Sequence, residues 1–170
     1  MINKLSIISR GGLKFIVMDA PNNENAEQYA SQLQFHNVSH LVRTCEGKYD
    51  DEIFKSRGIM IHDLFFSDGS APQKEKLHEF LEVVKMTFFE AGKIKKASGT
   101  SPCIAVHCLS GLGRAPVLIA IALIEAGLDP SHAIDLIRRN RQGALNQNQI
   151  KFLMRYKRLG VFNRSCCAIF

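Results

Sequence analysis

The chain has 170 residues, 46% of them hydrophobic and 22% charged, with a formal net charge of +6. That balance is too apolar for a disordered polymer, and the length suits one domain with its own core. The longest apolar run, "APVLIAIALI" at 115–124, is too short for a membrane span, and the basic surplus points either to anionic partners (phosphates, nucleic acid or an acidic membrane face) or to ordinary solubility.

In chain order, "MINKLSIISR" has too short an apolar segment for a secretory signal, and Ile2 excludes N-myristoylation. "LKFIVMDA" reads as a strand ending in a turn at Pro21-Asn22. Helical spacing of apolar residues follows in "ENAEQYASQLQFHN", then a buried strand in "VSHLVRTC". "IMIHDL" is a further strand, and "FFSDGSAP" is a loop rich in turn formers. From Pro72 to about Ala91, Leu77, Phe80, Leu81, Val84 and Phe88 mark one helix face. "KIKKASGTSP" is a basic, polar loop, and "CIAVHC" a strand buried on both faces. "RAPVLIAIALIEAG" is an apolar helix stopped by Gly127 at its C′ position. Asp129-Pro130 opens another helix towards Arg141, and Asn146 caps a last one over "QNQIKFLMRYKRL". Strands mixed with helices predict an α/β fold: one domain over 1–160, a central mixed sheet flanked by helices on both faces, and a tail over 161–170.

The chemistry concentrates in "VHCLSGLGRAP", Val106 to Pro116. A strand, a short Gly-containing loop and a helix start make an anion site, because loop N–H groups turn inward and the helix N-terminus adds partial positive charge. Leu109, Ser110, Gly111, Leu112 and Gly113 form that loop, and Arg114 follows with a guanidinium fork that matches two phosphate oxygens. Cys108 sits on the loop floor, where facing amides favour the nucleophilic thiolate for in-line attack on phosphorus. His107 reads as a structural hydrogen-bonding residue for the loop. The alternative is a buried structural Cys ahead of a core helix, since a bare C-x5-R arises by chance.

"HCLSGLGRAP" resembles the signature of the cysteine-dependent protein tyrosine and dual-specificity phosphatases. With Ala after the Arg, followed by "PVLIAIALIEAG", it is similar to the phosphatases of regenerating liver. "LVRTCEGKYD", "FFSDGSAP", "IRRNRQGALNQNQ" and "CCAIF" have counterparts there in the same order. The resemblance implies two-step hydrolysis of phosphate monoesters through a phosphorylated Cys108, with Asp68 as general acid and no metal or other cofactor. Asp63, nearer a strand end, fits a structural bond better than the acid role. The chain departs from the family in lacking Trp-Pro ahead of the acid: Leu64-Phe65-Phe66-Ser67-Asp68 stands there. Ala115 replaces the usual Ser or Thr whose hydroxyl helps the thiolate leave, so slow turnover is expected.

The resemblance further implies that Cys45 lies near Cys108 and forms a reversible disulfide with it, that CBS-domain magnesium transporters are non-substrate partners, and that the protein can form a homo-oligomer at membranes. Phosphorylated proteins or phosphoinositides are the expected substrates, and nucleic acid is not an expected partner. Five Cys are present, with no C-x2-C pair matched by a second, so zinc is not expected, reduced thiols fit best, and Cys103 is assigned to packing. Cys167-Ala168-Ile169-Phe170 fits a prenylation motif, with Cys166 beside it as a candidate for palmitoylation. Lys151, Arg155, Lys157, Arg158 and Arg164 lie upstream as a second, electrostatic signal. The expected location is the cytoplasmic face of plasma and endosomal membranes, with release to cytosol or nucleus if unprenylated. Arg138, Arg139 and Arg141 either add to the positive field or face solvent. The rival readings are a binding module that keeps the pocket for a transporter, and another Cys-loop enzyme such as an arsenate reductase or sulfurtransferase.

Overall fold

The computed structural model describes residues 5–90 and 101–162. In chain order the elements are β1 (Ser6–Arg10), β2 (Leu13–Asp19), α1 (Ala26–Phe35), β3 (Val38–Arg43), α2 (Glu52–Lys55), β4 (Met60–Asp63) and α3 (Lys74–Lys85), the last extended by a π-helical turn at Met86–Glu90. Then come β5 (Cys103–Cys108), α4 (Arg114–Glu125), α5 (Pro130–Asn140) and α6 (Gln147–Arg155). The strands form one sheet in the order β1-β2-β5-β3-β4, with β1 antiparallel to β2 and the other pairs parallel.

β5 is the middle strand, and all six of its residues are buried, as its unbroken apolar run requires. The pleat splits the core in two. Phe15, Val17, Val42, Ile104, Val106 and Cys108 point to one side, where α3, α4, α5 and α6 contribute apolar residues. Ile16, Met18, Leu41, Cys103 and Ala105 point to the other, against α1 and α2. Cys103 is therefore a packing residue. α4 threads the larger half, with every residue from Ala115 to Glu125 buried. Register brings Asp19 of β2 beside Cys108 and Arg43 of β3 beside His107, so the C-terminal ends of three parallel strands form a crevice there.

Three elements differ from the sequence reading. β1 was not expected, although "SRGGLK" is a two-residue hairpin signal: Gly11 and Gly12 have φ of 54° and 80°, as such a turn requires. The four-residue α2 was also missed. α6 ends at Arg155, short of the predicted Leu159. The cause is the fully buried Glu125, whose carboxylate accepts from Tyr156 Oη at 2.7 Å, Leu159 N at 2.5 Å and Gly160 N at 3.1 Å, and so draws the chain out of the helix. Gly127, with φ 114°, stops α4, and Asp129 caps α5 through Ser131 N at 2.9 Å. Most of "KIKKASGTSP", together with Cys166 and Cys167, lies outside the described residues. Among the described residues no helix is long and apolar enough to cross a membrane.

Candidate active site

Cys108 ends β5 with 2% of its surface exposed. The next four carbonyls are all tied to the surrounding framework. Leu109 O accepts from Ala20 N (3.2 Å), Ser110 O from Arg141 Nη2 (2.9 Å), Gly111 O from Arg141 Nε (3.3 Å), and Leu112 O from Leu145 N (2.8 Å). In a planar trans peptide the N–H points opposite to the C=O. Four carbonyls turned outward therefore turn the amides of Ser110, Gly111, Leu112 and Gly113 the other way, and no hydrogen bond among the described residues takes them up. Gly111 adopts φ 68°, and a Cβ there would lie 2.7 Å from both Met18 O and Arg141 Nη2. The result is a nest of backbone donors over a buried thiol, at the start of an apolar helix.

Arg114 opens α4, and its side chain is 11% exposed. Nη1 donates to Thr44 O and Phe66 O, both at 3.2 Å, which fixes the guanidinium between the β3 end and the loop that carries Asp68. Nε lies 3.3 Å from Asp68 Oδ1, an ion pair out of line for a hydrogen bond. Asp68 has a side chain 73% exposed, and its Oδ1 also accepts from Gly69 N at 3.0 Å. Asp63 is held elsewhere: Arg43 Nε and Nη2 reach its two oxygens at 2.5 and 2.8 Å, and this bonding lowers its pKa from the ordinary value. Arg43 also binds Asp51 at 2.6 Å. Asp63 is thus spent on a structural network, whereas Asp68 faces the crevice.

His107 is fully buried, and burial pushes its ring down to about 4. Tyr49 Oη lies 2.9 Å from Nε2, and the Thr44 amide and hydroxyl both donate to His107 O, at 3.0 and 2.9 Å. These bonds brace the strand just before Cys108. Cys45 is half-buried. Burial raises its thiol pKa, and it shares a pocket wall with Leu109 of the phosphate loop and with Arg114. Thr44, Cys45, Glu46, Phe65, Phe66, Leu109 and Arg114 line an open pocket of about 350 Å³. Ala115 is fully buried in the first turn of α4. Among the described residues no group of three or more His, Cys, Asp or Glu is placed to hold a metal ion.

Sequence reasoning missed Gln149. It belongs to the cap that Asn146 forms: Asn146 Oδ1 accepts from Gln149 N (2.9 Å), and Gln149 Oε1 from Asn146 N (3.0 Å). The same side chain is 1% exposed, and its Nε2 makes no hydrogen bond among the described residues. A Cβ on Gly113 would lie 3.3 Å from Nε2 and 3.5 Å from Asp68 Oδ1, so Gly113 keeps open a gap that both side chains border. The sequence signal, N-x-x-Q, announces a helix start but not what the amide faces.

The family described as "Swiss Army Knife protein, DSP-PTPase phosphatase domain" matches residues 4–161. The PRL-1 phosphatase of Drosophila melanogaster is 40% identical over 152 residues, covering 89% of this chain and 82% of that protein. Protein tyrosine phosphatase type IVA 2 of Mus musculus is 34% identical over 165 residues, with 94% of each chain covered. A solved Leishmania major protein tyrosine phosphatase superposes with a TM-score of 0.80 at 37% identity, covering 92% of this chain and all of that one. A thiol under a nest of amides, an Arg at the helix start and a nearby carboxylate match that kinship, and the chain belongs to the dual-specificity-type protein tyrosine phosphatases, in their type IVA or PRL group.

Proposed function

We propose that the phosphatase reaction runs through Cys108, Arg114 and Asp68, and that the row of amides from Ser110 to Gly113 over the buried thiol carries this reading. The substrate is a phosphorylated protein, as the family implies. Its phosphoryl oxygens accept from the loop amides and from Arg114, which neutralise charge in the transition state. The Cys108 thiolate forms an S–P bond as the P–O bond to the leaving group breaks, and Asp68 gives its proton to the departing oxygen. Water then attacks phosphorus, its proton goes to the Asp68 carboxylate, and the S–P bond breaks to free inorganic phosphate and the thiolate. Gln149 Nε2, which has no hydrogen bond among the described residues and lies beside Gly113 and Asp68, is placed to hold that water.

Ala115 has no hydroxyl to offer the departing thiolate, so the second step limits turnover. The same feature supports a second reading, in which a long-lived occupied or binding-ready pocket engages a CBS-domain magnesium transporter. Cys45, in the pocket that Leu109 and Arg114 also line, suits a reversible disulfide that removes the nucleophile. Prenylation at Cys167, together with Lys151, Arg155, Lys157 and Arg158, suits attachment to anionic membrane faces, where an assembly of copies would form.

Rapid-quench kinetics on an aryl phosphate tests the assignment. Wild type should show a burst of one equivalent followed by slow turnover. Cys108→Ser should abolish both, and Ala115→Ser should raise the slow phase while leaving the burst alone. Substantial hydrolysis by folded Cys108→Ser protein would rule the nucleophile out.

A further inference from the structure

We propose that Arg141 is the positioning residue of the phosphate loop: one guanidinium, from outside the signature stretch, holds two successive loop peptides so that their amides face the substrate. The inference rests on the reading of that loop as an anion cradle. Four carbonyls are tied outward, at Leu109, Ser110, Gly111 and Leu112. The first and last are held by backbone amides, of Ala20 and Leu145, and these bonds belong to the framework of β2 and of the loop before α6. The middle two are held by a side chain. Arg141 Nη2 lies 2.9 Å from Ser110 O, and Nε lies 3.3 Å from Gly111 O.

Those two carbonyls belong to the peptides that carry the amides of Gly111 and Leu112, at the centre of the nest. Consecutive carbonyls on one side are not the extended pattern, in which they alternate. The residue between them must leave that pattern, and Gly111 does so at φ 68°. A glycine in that conformation has little intrinsic preference to stay there. Arg141 supplies the preference. Its planar fork offers two N–H vectors at fixed spacing, one for each carbonyl, which a lysine ammonium cannot reproduce.

Its own backbone is well anchored. Arg141 N donates to Ile137 O at 2.8 Å at the end of α5, and Arg141 O accepts from Ala144 N at 3.1 Å. The guanidinium therefore refers the loop to a rigid helix end. Arg141 Nη2 sits where a Cβ of Gly111 would collide, on the side of the loop where the two carbonyls are held and away from the inward amides. It acts through the loop and is not a catalytic residue.

Arg141→Lys and Arg141→Met separate geometry from charge. Three quantities are read: kcat/KM for an aryl phosphate, the dissociation constant of inorganic phosphate, and the ratio of Cys108 alkylation rates by iodoacetate and iodoacetamide. Iodoacetate carries an anion that the cradle attracts, and iodoacetamide does not, so the ratio reports the amides rather than general access to the thiol. Both variants should lose about tenfold or more in kcat/KM. Both should bind phosphate correspondingly more weakly and show a ratio falling towards one, with near-ultraviolet circular dichroism unchanged. Arg141→Lys behaving as wild type would overturn the proposal, since charge alone would then suffice. Arg141→Met keeping the wild-type ratio would overturn it as well. If wild type itself showed neither phosphate binding nor iodoacetate preference, the cradle reading would fail, and the proposal with it.

Discussion

The phosphate loop and the acid loop border one pocket, yet they are held in opposite ways. The first grows from a fully buried strand, is tied by four carbonyls, and runs into a helix buried from Ala115 to Glu125. The second is rooted by Leu64 and Phe66 in the core, but beyond them it carries Asp68 on a side chain 73% exposed, tied by an ion pair to Arg114. On the proposed reaction, the difference follows from what each must do. Amides that stabilise a transition state work best when they need no rearrangement, whereas an acid must meet leaving groups of varied shape and then release them. Core burial therefore fixes the phosphate loop, and surface interactions of small energy adjust the acid.

The sharpest way to break this contrast is Gly111→Ala. A Cβ would lie 2.7 Å from the Met18 carbonyl in a conformation that already excludes most side chains. The strain costs on the order of 1–3 kcal/mol if the loop stays as it is. If the loop relaxes, two amides leave the cradle, and kcat/KM should fall about a thousandfold, as for the loss of a well-aimed donor. Urea unfolding and kinetics together show which of the two occurs. Near-wild-type values for both would mean that the loop is as adaptable as the acid loop.

Asp68→Asn probes the other partner. For alkyl or peptidyl phosphates kcat should fall about a hundredfold, the ordinary contribution of a general acid. The loss should shrink for an activated aryl phosphate, whose leaving oxygen needs no proton. The melting temperature should stay put, because an exposed carboxylate contributes little to folding. An equal loss on both substrates would remove Asp68 from the acid role. A large fall in melting temperature would show the acid loop to be part of the rigid frame.

How much of this was legible depends on which interactions are local. "CIAVHC" announced a doubly buried strand because no polar residue but His107 interrupts it. "LSGLGR" announced a turn because two glycines precede a helix-forming run. Asn146 and Pro130 marked helix starts through chemistry confined to one turn. Gln149, Tyr49 and Arg141 were opaque because their partners are 36, 58 and 30 residues away, at Gly113, His107 and Gly111. Nothing near them in sequence says what they face. Asp63 and Asp68 lie between: their order in the loop suggested which was structural, but only Arg43, brought in by the β3–β4 register, supplies the reason. The early stop of α6 likewise depends on Glu125, 31 residues before Tyr156.

The smallest expected effect lies beneath the phosphate loop, and it concerns protons rather than substrates. His107 is completely enclosed between β2 and β3, and burial holds its ring near 4 instead of the usual 6.5. The folded state thus refuses a proton that the unfolded chain accepts. A depressed histidine contributes its full stability above the unfolded value and loses it as pH falls from about 6.5 towards about 4. Between pH 7 and pH 5 this amounts to about 2 kcal/mol, roughly a thirtyfold change in the folding equilibrium. His62 acts in the same direction: burial lowers its pKa too, and it shares a 2.9 Å contact with His40, where only one ring nitrogen can donate. The loop carrying Asp68 should feel none of this directly, since the partners of that carboxylate among the described residues are Gly69 N and Arg114 and neither ring. Urea unfolding at pH 7 and pH 5 should therefore show wild type losing about 2 kcal/mol more than His107→Asn, which retains a polar group for Tyr49 but has no proton to refuse. Parallel losses in the two proteins would mean that the ring beneath the nucleophile is hydrated or mobile, and that the rigid half of the pocket is less closed to water than its burial indicates.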